Sequence, residues 1–193
     1  MTTVHLARHG ESDWNAAGRW QGHADRPLTE LGRRQAVELA ERLASARLDA
    51  VYSSDLRRAR ETAEPVAERH GLEVMTLASL REVDVGGWSG LSRPQVEQRF
   101  PEAFARWRSG GQGWEDGETY EDMTVRVVDA VVELAAAHPG GEILVVAHGG
   151  PIRALHAVAL GLDISEHRRL KPVAANARLS RLTVDDGRLA VEH

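Results

Sequence analysis

Residues 143–150 read Ile143-Leu144-Val145-Val146-Ala147-His148-Gly149-Gly150, an apolar run that ends without a spacer in a histidine and two glycines. Continuous apolar runs of this length, bounded by turn residues, suit strands buried on both faces of a parallel sheet. The chain opens in the same way: Val4 to Ala7 leads directly into Arg8-His9-Gly10-Glu11. A third run, Ala50 to Tyr52, leads into Ser53, Ser54, Arg57 and Arg58. Long helical patterns separate the three, and alternation of this kind predicts an α/β fold.

The helices carry start and stop signals. Thr29, after Pro27 and Leu28, is placed to cap a helix with Leu31, Leu39 and Leu43 on its apolar face. Asp55 is expected to cap the next, which runs to about Arg69 before Gly71 stops it. Thr119 with Asp122 forms a weak capping box, opening a helix through Val125, Val128, Val132 and Leu134 that ends near His138, Pro139 and Gly140. A further helix is predicted from Pro151 to Leu160. Leu179 to Val184 and Leu189 to Val191 flank Asp185-Asp186-Gly187, a hairpin composition. The expected architecture has three layers: a mainly parallel central sheet, helices on both faces and an antiparallel edge.

Composition narrows the function. The 193 residues carry 29 acidic and 24 basic side chains, a net charge of −5, which argues against a general nucleic-acid binder. Lys171 is the only lysine; the arginine bias that follows is a compositional trait and no functional signal by itself. There is no cysteine, which removes thiol catalysis and cysteine-ligated zinc. No stretch approaches the roughly 18 apolar residues of a membrane span, and the N-terminus lacks a signal-peptide core. A soluble, cytoplasmic protein with one domain over residues 1–193 is expected, its oligomeric state left open.

Chemistry gathers at the strand ends. In open α/β sheets ligands bind beyond the carboxyl ends of the strands, so His9 and His148 are expected to face one cleft although 139 residues apart. Guanidinium forks, imidazoles and close-approach glycines at strand-to-helix turns make a receptor for a phosphoryl group. The competing reading, that each arginine serves a surface ion pair, weakens with each repeat of the pattern.

Arg8-His9-Gly10-Glu11 with Asn15, then Ser53-Ser54-Asp55-Leu56 with Arg58-Ala59 and Thr62-Ala63, then Leu80-Arg81-Glu82, and finally Ala147-His148-Gly149 occur in this order. Together they resemble the histidine phosphatase superfamily, also called the phosphoglycerate mutase-like family. The resemblance implies that His9 attacks phosphorus to give a phosphohistidine. Arg8, Arg58 and His148 would surround the phosphoryl oxygens, and Glu82 would protonate the leaving oxygen. Asn15, Gln21, Gly22 and Gly149 would add substrate contacts. Neither a metal nor a cofactor is implied, and no HxH or HExxH spacing supports one. Some branches of the family place their acid directly after the second histidine, where this chain has Gly149, and Asp84 and Glu118 are the competing acids.

The segments 21–29 and 82–91 look like those of small phosphatases such as α-ribazole phosphatase, so a phosphomonoester hydrolase acting on a small phosphorylated metabolite is expected. A cofactor-dependent mutase and a non-catalytic phosphate binder are the alternatives. Around the site, Glu11 is read as a loop-orienting residue and His23 as a possible substrate contact. Trp20 and Trp114 are read as a substrate wall, and the glycine-rich loop 109–117 as either a connector or a cover. His5, His70, His138, His156, His167 and His193 show no metal-site spacing.

Overall fold

The computed structural model describes residues 1–171 and 173–192. Its elements are β1 (Thr2–Arg8), α1 (Asp13–Ala16), α2 (Glu30–Arg42), β2 (Leu48–Ser54), α3 (Arg57–His70) and β3 (Val74–Leu77), then α4 (Arg93–Arg99), α5 (Pro101–Arg108) and α6 (Tyr120–Ala137). After these come β4 (Glu142–Ala147), α7 (Gly149–Ala159), α8 (Ile164–Leu170), β5 (Leu179–Asp185) and β6 (Arg188–Val191). The six strands form one sheet in the order β3-β2-β4-β1-β5-β6. The first three pairings are parallel, whereas β5 runs antiparallel to both β1 and β6. The hairpin turns on Asp186 and Gly187, both at positive φ, as a two-residue hairpin requires. This is the three-layer α/β arrangement expected from the strand runs.

Period-two alternation explains why both sheet faces are apolar. On one face Val4, Leu6, Ile143 and Val145 pack with Met123, Val127 and Val131 of α6 and Ile152 and Leu155 of α7. On the other, Ala7, Val51, Leu144 and Val146 pack with Leu39 of α2 and Ala59, Ala63 and Val66 of α3. Each fully buried aliphatic side chain contributes on the order of 1.5–3 kcal/mol, so the central strands are the best-anchored parts of the molecule. Their carboxyl ends are correspondingly fixed. Among the described residues no helix is long and apolar enough to cross a membrane.

Several local expectations need correction. Thr29 and Thr119 do cap α2 and α6 through their side-chain oxygens, and Leu39, Leu43 and Leu134 are buried as expected, but one expected core position on each helix faces outward. Leu31 is 42% and Val125 60% exposed, while Gly32, Ala36, Leu39 and Ala40 of α2 and Met123, Val127 and Val131 of α6 turn inward. Asp55 does not cap α3: Leu56 holds that position without a side-chain bond. The Asp55 carboxylate instead pairs with Arg81, at 2.6 and 2.8 Å. A two-point charged partner outcompetes a single backbone N–H.

Candidate active site

The site is built where β1, β2 and β4 end. The pairing of β1 with β4 sets Arg8 beside Ala147, and the His9 N–H continues the ladder by donating to the Ala147 carbonyl at 3.0 Å. The two following rings are thereby brought together, with His9 and His148 centroids 5.1 Å apart. Both histidines are buried, as is Arg58 at 1% exposure on the first turn of α3. The turn after β1 lies backbone to backbone on α2: a Cβ on Gly10 would meet the Gly32 carbonyl oxygen at 2.5 Å. Thr62 ties the third element in, accepting from the Gly10 N–H at 2.9 Å and donating to the Arg58 carbonyl at 2.7 Å.

The hydrogen bonds define the state of the nucleophile candidate. His9 Nδ1 lies 2.6 Å from the Gly10 carbonyl oxygen, which can only accept, so the ring proton sits on Nδ1 and Nε2 keeps its lone pair. Burial, reinforced by the positive charges of Arg58 and Arg8, holds His9 well below the usual imidazole range. His148 is lowered in the same way, by burial first and then by Arg58. Neutral imidazoles beside two guanidiniums make a pocket that takes negative charge without itself carrying any. Burial also lowers both guanidiniums, Arg58 to about 10, against the opposing pull of Glu82.

Buried donors and acceptors are normally satisfied. Here Arg8 Nε, Arg58 Nε and both ring nitrogens of His148 have no partner among the described residues. The outer nitrogens of the two arginines are used to fix them: Arg8 donates to the Ala174 carbonyl at 2.5 Å, and Arg58 to those of Ala24 and Gly22 at 2.7 and 2.9 Å. Unspent polar atoms on rigidly held side chains at the ends of neighbouring strands are what a tetrahedral oxyanion requires.

Glu82 stands at the edge of this pocket. Its Oε1 accepts from the N–H groups of Gly150, at the start of α7, and of Val83, both at 3.0 Å. The turn carrying it is clamped by Arg126, which donates to the carbonyls of Ser79, Arg81 and Glu82 at 2.8, 2.9 and 3.0 Å and pairs with Glu118. Glu118 is thus a support for that turn and lies outside the cleft lining. Asp84, the other competing acid, accepts from the Gly86 N–H at 3.0 Å and does not line the cleft.

Arg8, His9, Asn15, Gln21, Gly22, Arg58, Glu82 and Gly149 line one cleft of about 1210 Å³. Asn15 and Gln21 are joined through Ser12, whose hydroxyl lies 3.0 and 2.7 Å from their side-chain oxygens. His148 lies just beneath, fully buried. Glu11 accepts from the Thr29 hydroxyl at 2.8 Å and so orients its loop. The remaining expectations divide. Trp20 lines the cleft, but Trp114, at 2% exposure, belongs to the core; Trp14 and Trp107 take the wall position instead. His23 makes its contact with the Glu82 carbonyl, at 2.9 Å, and supports the acid's backbone. Of loop 109–117, only Gly110 reaches the lining. His193 lies outside the described residues. Asn176, which donates to the His9 and Gly10 carbonyls at 3.0 and 3.2 Å, was invisible in the sequence, having no motif around it. Arg153 lines the cleft one turn beyond Gly149, and that i, i+4 spacing was a signal the sequence offered.

The profile of the histidine phosphatase superfamily, branch 1, matches residues 4–193. The chain belongs to the histidine phosphatase superfamily. Phosphoserine phosphatase 1 of Hydrogenobacter thermophilus is 38% identical over 168 residues, covering 86% of this chain and 80% of the relative. Glucosyl-3-phosphoglycerate phosphatase of Mycobacterium tuberculosis is 41% identical over 170 residues, covering 83% and 76%. Among solved structures, YhfR of Bacillus stearothermophilus superposes with a TM-score of 0.92 at 33% identity, covering 99% of this chain and 95% of that one. The four motif blocks of this histidine phosphatase therefore sit where the superfamily fold brings them together.

Proposed function

We propose that this histidine phosphatase hydrolyses phosphate monoesters of small metabolites through a phosphohistidine on His9. The observation that carries the reading is the Nδ1–H bond of a buried, neutral His9 to Gly10, which leaves Nε2 as a nucleophile between two arginines. The phosphoryl group is held by Arg8, Arg58, His148 and the Gly149 N–H. Nε2 attacks phosphorus in line, the bond from phosphorus to the ester oxygen breaks, and Glu82 gives its proton to the departing alkoxide. Water then attacks the phosphohistidine while Glu82 takes up a proton, His9 leaves as neutral imidazole, and inorganic phosphate is released. Charge spread over the phosphoryl oxygens is met by the fixed guanidiniums and by His148. Asn15, Gln21 and Gly22 shape the floor on which the ester lies.

The names of the relatives, phosphatases of phosphoserine and of glucosyl-3-phosphoglycerate, support hydrolysis over phosphoryl return to an alcohol. The test is phosphate release from a panel of phosphomonoesters after exhaustive chelation. Stoichiometric inorganic phosphate and alcohol are expected. Loss of activity on chelation, or accumulation of an isomeric phosphoester in place of inorganic phosphate, would overturn the proposal.

A further inference from the structure

The segment between α8 and β5 lies against the end of β1, next to the nucleophile. The Ala174 carbonyl accepts from Arg8 at 2.5 Å, and the Ala177 N–H donates to the Arg8 and His9 carbonyls at 3.1 and 3.2 Å. Arg42 of α2 donates to the Ala177 carbonyl at 3.1 Å. Ala177 is buried at a φ of 53°. A residue other than glycine takes that left-handed conformation only where its surroundings hold it there.

Beside this bend Asn176 meets three oxygens. Its Nδ2 lies 3.0 Å from the His9 carbonyl oxygen, 3.2 Å from that of Gly10 and 3.2 Å from Asn15 Oδ1. Carbonyl oxygens can only accept, so the amide presents its NH₂ to them; turned over, it would set oxygen against oxygen. The Gly10 oxygen is also the acceptor for the His9 Nδ1–H at 2.6 Å, and its two lone pairs can serve both donors. The peptide joining Gly10 to Glu11 is thus pinned at both ends, its oxygen by Asn176 and its N–H by Gln35 Oε1 of α2 at 2.8 Å. Glycine has the widest backbone freedom of any residue, so this carbonyl needs such tethers to stay turned toward the ring.

A neutral imidazole carries one ring proton, and the partner of one nitrogen decides which of the two holds it. If the Gly10 carbonyl swings away, the proton can move to Nε2 and occupy the lone pair that attacks phosphorus. Asn15 is fixed by the same amide. Its Oδ1 takes the Ser12 N–H at 3.1 Å as well as Asn176, which leaves its NH₂, a donor, for the cleft that Asn15 lines.

We propose that Asn176 is a positioning residue for the nucleophile: it holds the Gly10 carbonyl toward His9 Nδ1, so that Nε2 stays unprotonated, and ties that state to the cleft through Asn15. This rests on the phosphohistidine reading above and adds to it the group that sets the tautomer.

The test uses Asn176→Leu, which keeps the branched shape without a donor, and Asn176→Ala. Asn176 is partly exposed, so both are expected to fold; if Leu does not, Ala is read in its place, and failure of both would make the residue structural and overturn the proposal. Long-range proton–nitrogen NMR, with the His9 signals assigned by their absence from His9→Ala, should show the proton on Nδ1 in wild type and a shift toward the Nε2–H form in the variants. Rapid-quench phosphorylation by p-nitrophenyl phosphate and by glycerol 3-phosphate should slow by the same factor. That factor is on the order of 10–10²-fold, the scale of loss when the outer partner of a functional imidazole is removed. Equal slowing is expected because both esters meet the same nucleophile, whatever leaves. A wild-type proton on Nε2, a tautomer or a rate unchanged in the variants, or a loss confined to one ester overturns the positioning role and leaves the phosphatase reading standing. If wild type forms no phosphohistidine with either ester, the phosphatase reading fails and this inference with it.

Discussion

Replacing Gly150 by alanine separates the acid from the rest of the site. A methyl group at position 150 would fall 2.3 Å from Glu82 Oε1 and 3.0 Å from Met123 Sδ, whereas non-bonded carbon contacts settle at about 3.5 Å. Both obstacles are ends of flexible side chains, and alanine is the better helix former in the first turn of α7, so the fold is expected to survive. The Glu82 carboxyl must instead move by about 1 Å, stretching its 3.0 Å bond to the Gly150 N–H. General-acid catalysis contributes roughly 10²–10⁴-fold, and a 1 Å misplacement costs on the order of 10². An alkyl phosphate, whose alkoxide needs a proton to leave, should therefore phosphorylate the enzyme about 10²-fold more slowly in Gly150→Ala. p-Nitrophenyl phosphate, with a leaving group that departs nearly unaided, should be affected far less. Pre-steady-state phosphorylation is the step to follow, because in the proposed mechanism Glu82 also serves the later hydrolysis. If both substrates slow equally, or neither does, the proposed role of Glu82 as proton donor fails.

Two further outcomes follow from the same contacts. Arg58→Ala should lose at least about 10²-fold in kcat/KM through loss of transition-state charge stabilisation, whereas Arg57→Ala, at an exposed side chain paired with Glu61, should stay close to wild type; equal losses would refute the assignment. The lowered His9 and His148 make folding pH-dependent in a defined direction. The unfolded chain takes up protons at these groups below about pH 6.5 while the folded chain does not, so stability present above that pH is lost as pH falls, by up to about 1.4 kcal/mol per unit for each histidine. Urea midpoints at pH 7.5, 6 and 5 should fall more steeply for wild type than for the double variant His9→Asn/His148→Asn, and parallel slopes would contradict the neutral, buried state of the two rings.

What the sequence made legible was set by neighbours in the chain. The strand runs, the threonine caps of α2 and α6 and the Asp186-Gly187 hairpin depend on residues a few positions apart, and each is found in the structure. The positions of Arg8, His9 and His148 followed because each sits directly at a strand end, and that of Arg58 because it opens the helix after β2, where the topology leaves little freedom. What stayed hidden depends on partners distant in the chain. Asp55 as a cap lost to Arg81, 26 residues away. Trp107 rather than Trp114 became cleft wall because the tryptophan cluster packs Trp114 inward, its indole N–H donating to the Glu118 carbonyl at 2.7 Å. The clamp by Arg126 on the Glu82 turn and the bonds from Asn176 to the His9 and Gly10 carbonyls need elements whose packing no local pattern encodes.

The central claim is that phosphate passes through His9. Rapid quench of the enzyme with phosphoryl-labelled substrate should trap a phosphoprotein that is acid-labile and base-stable, with the label on His9 and none on His9→Ala. Phosphate release from wild type with no labelled protein at any quench time, or undiminished turnover by His9→Ala, would contradict it.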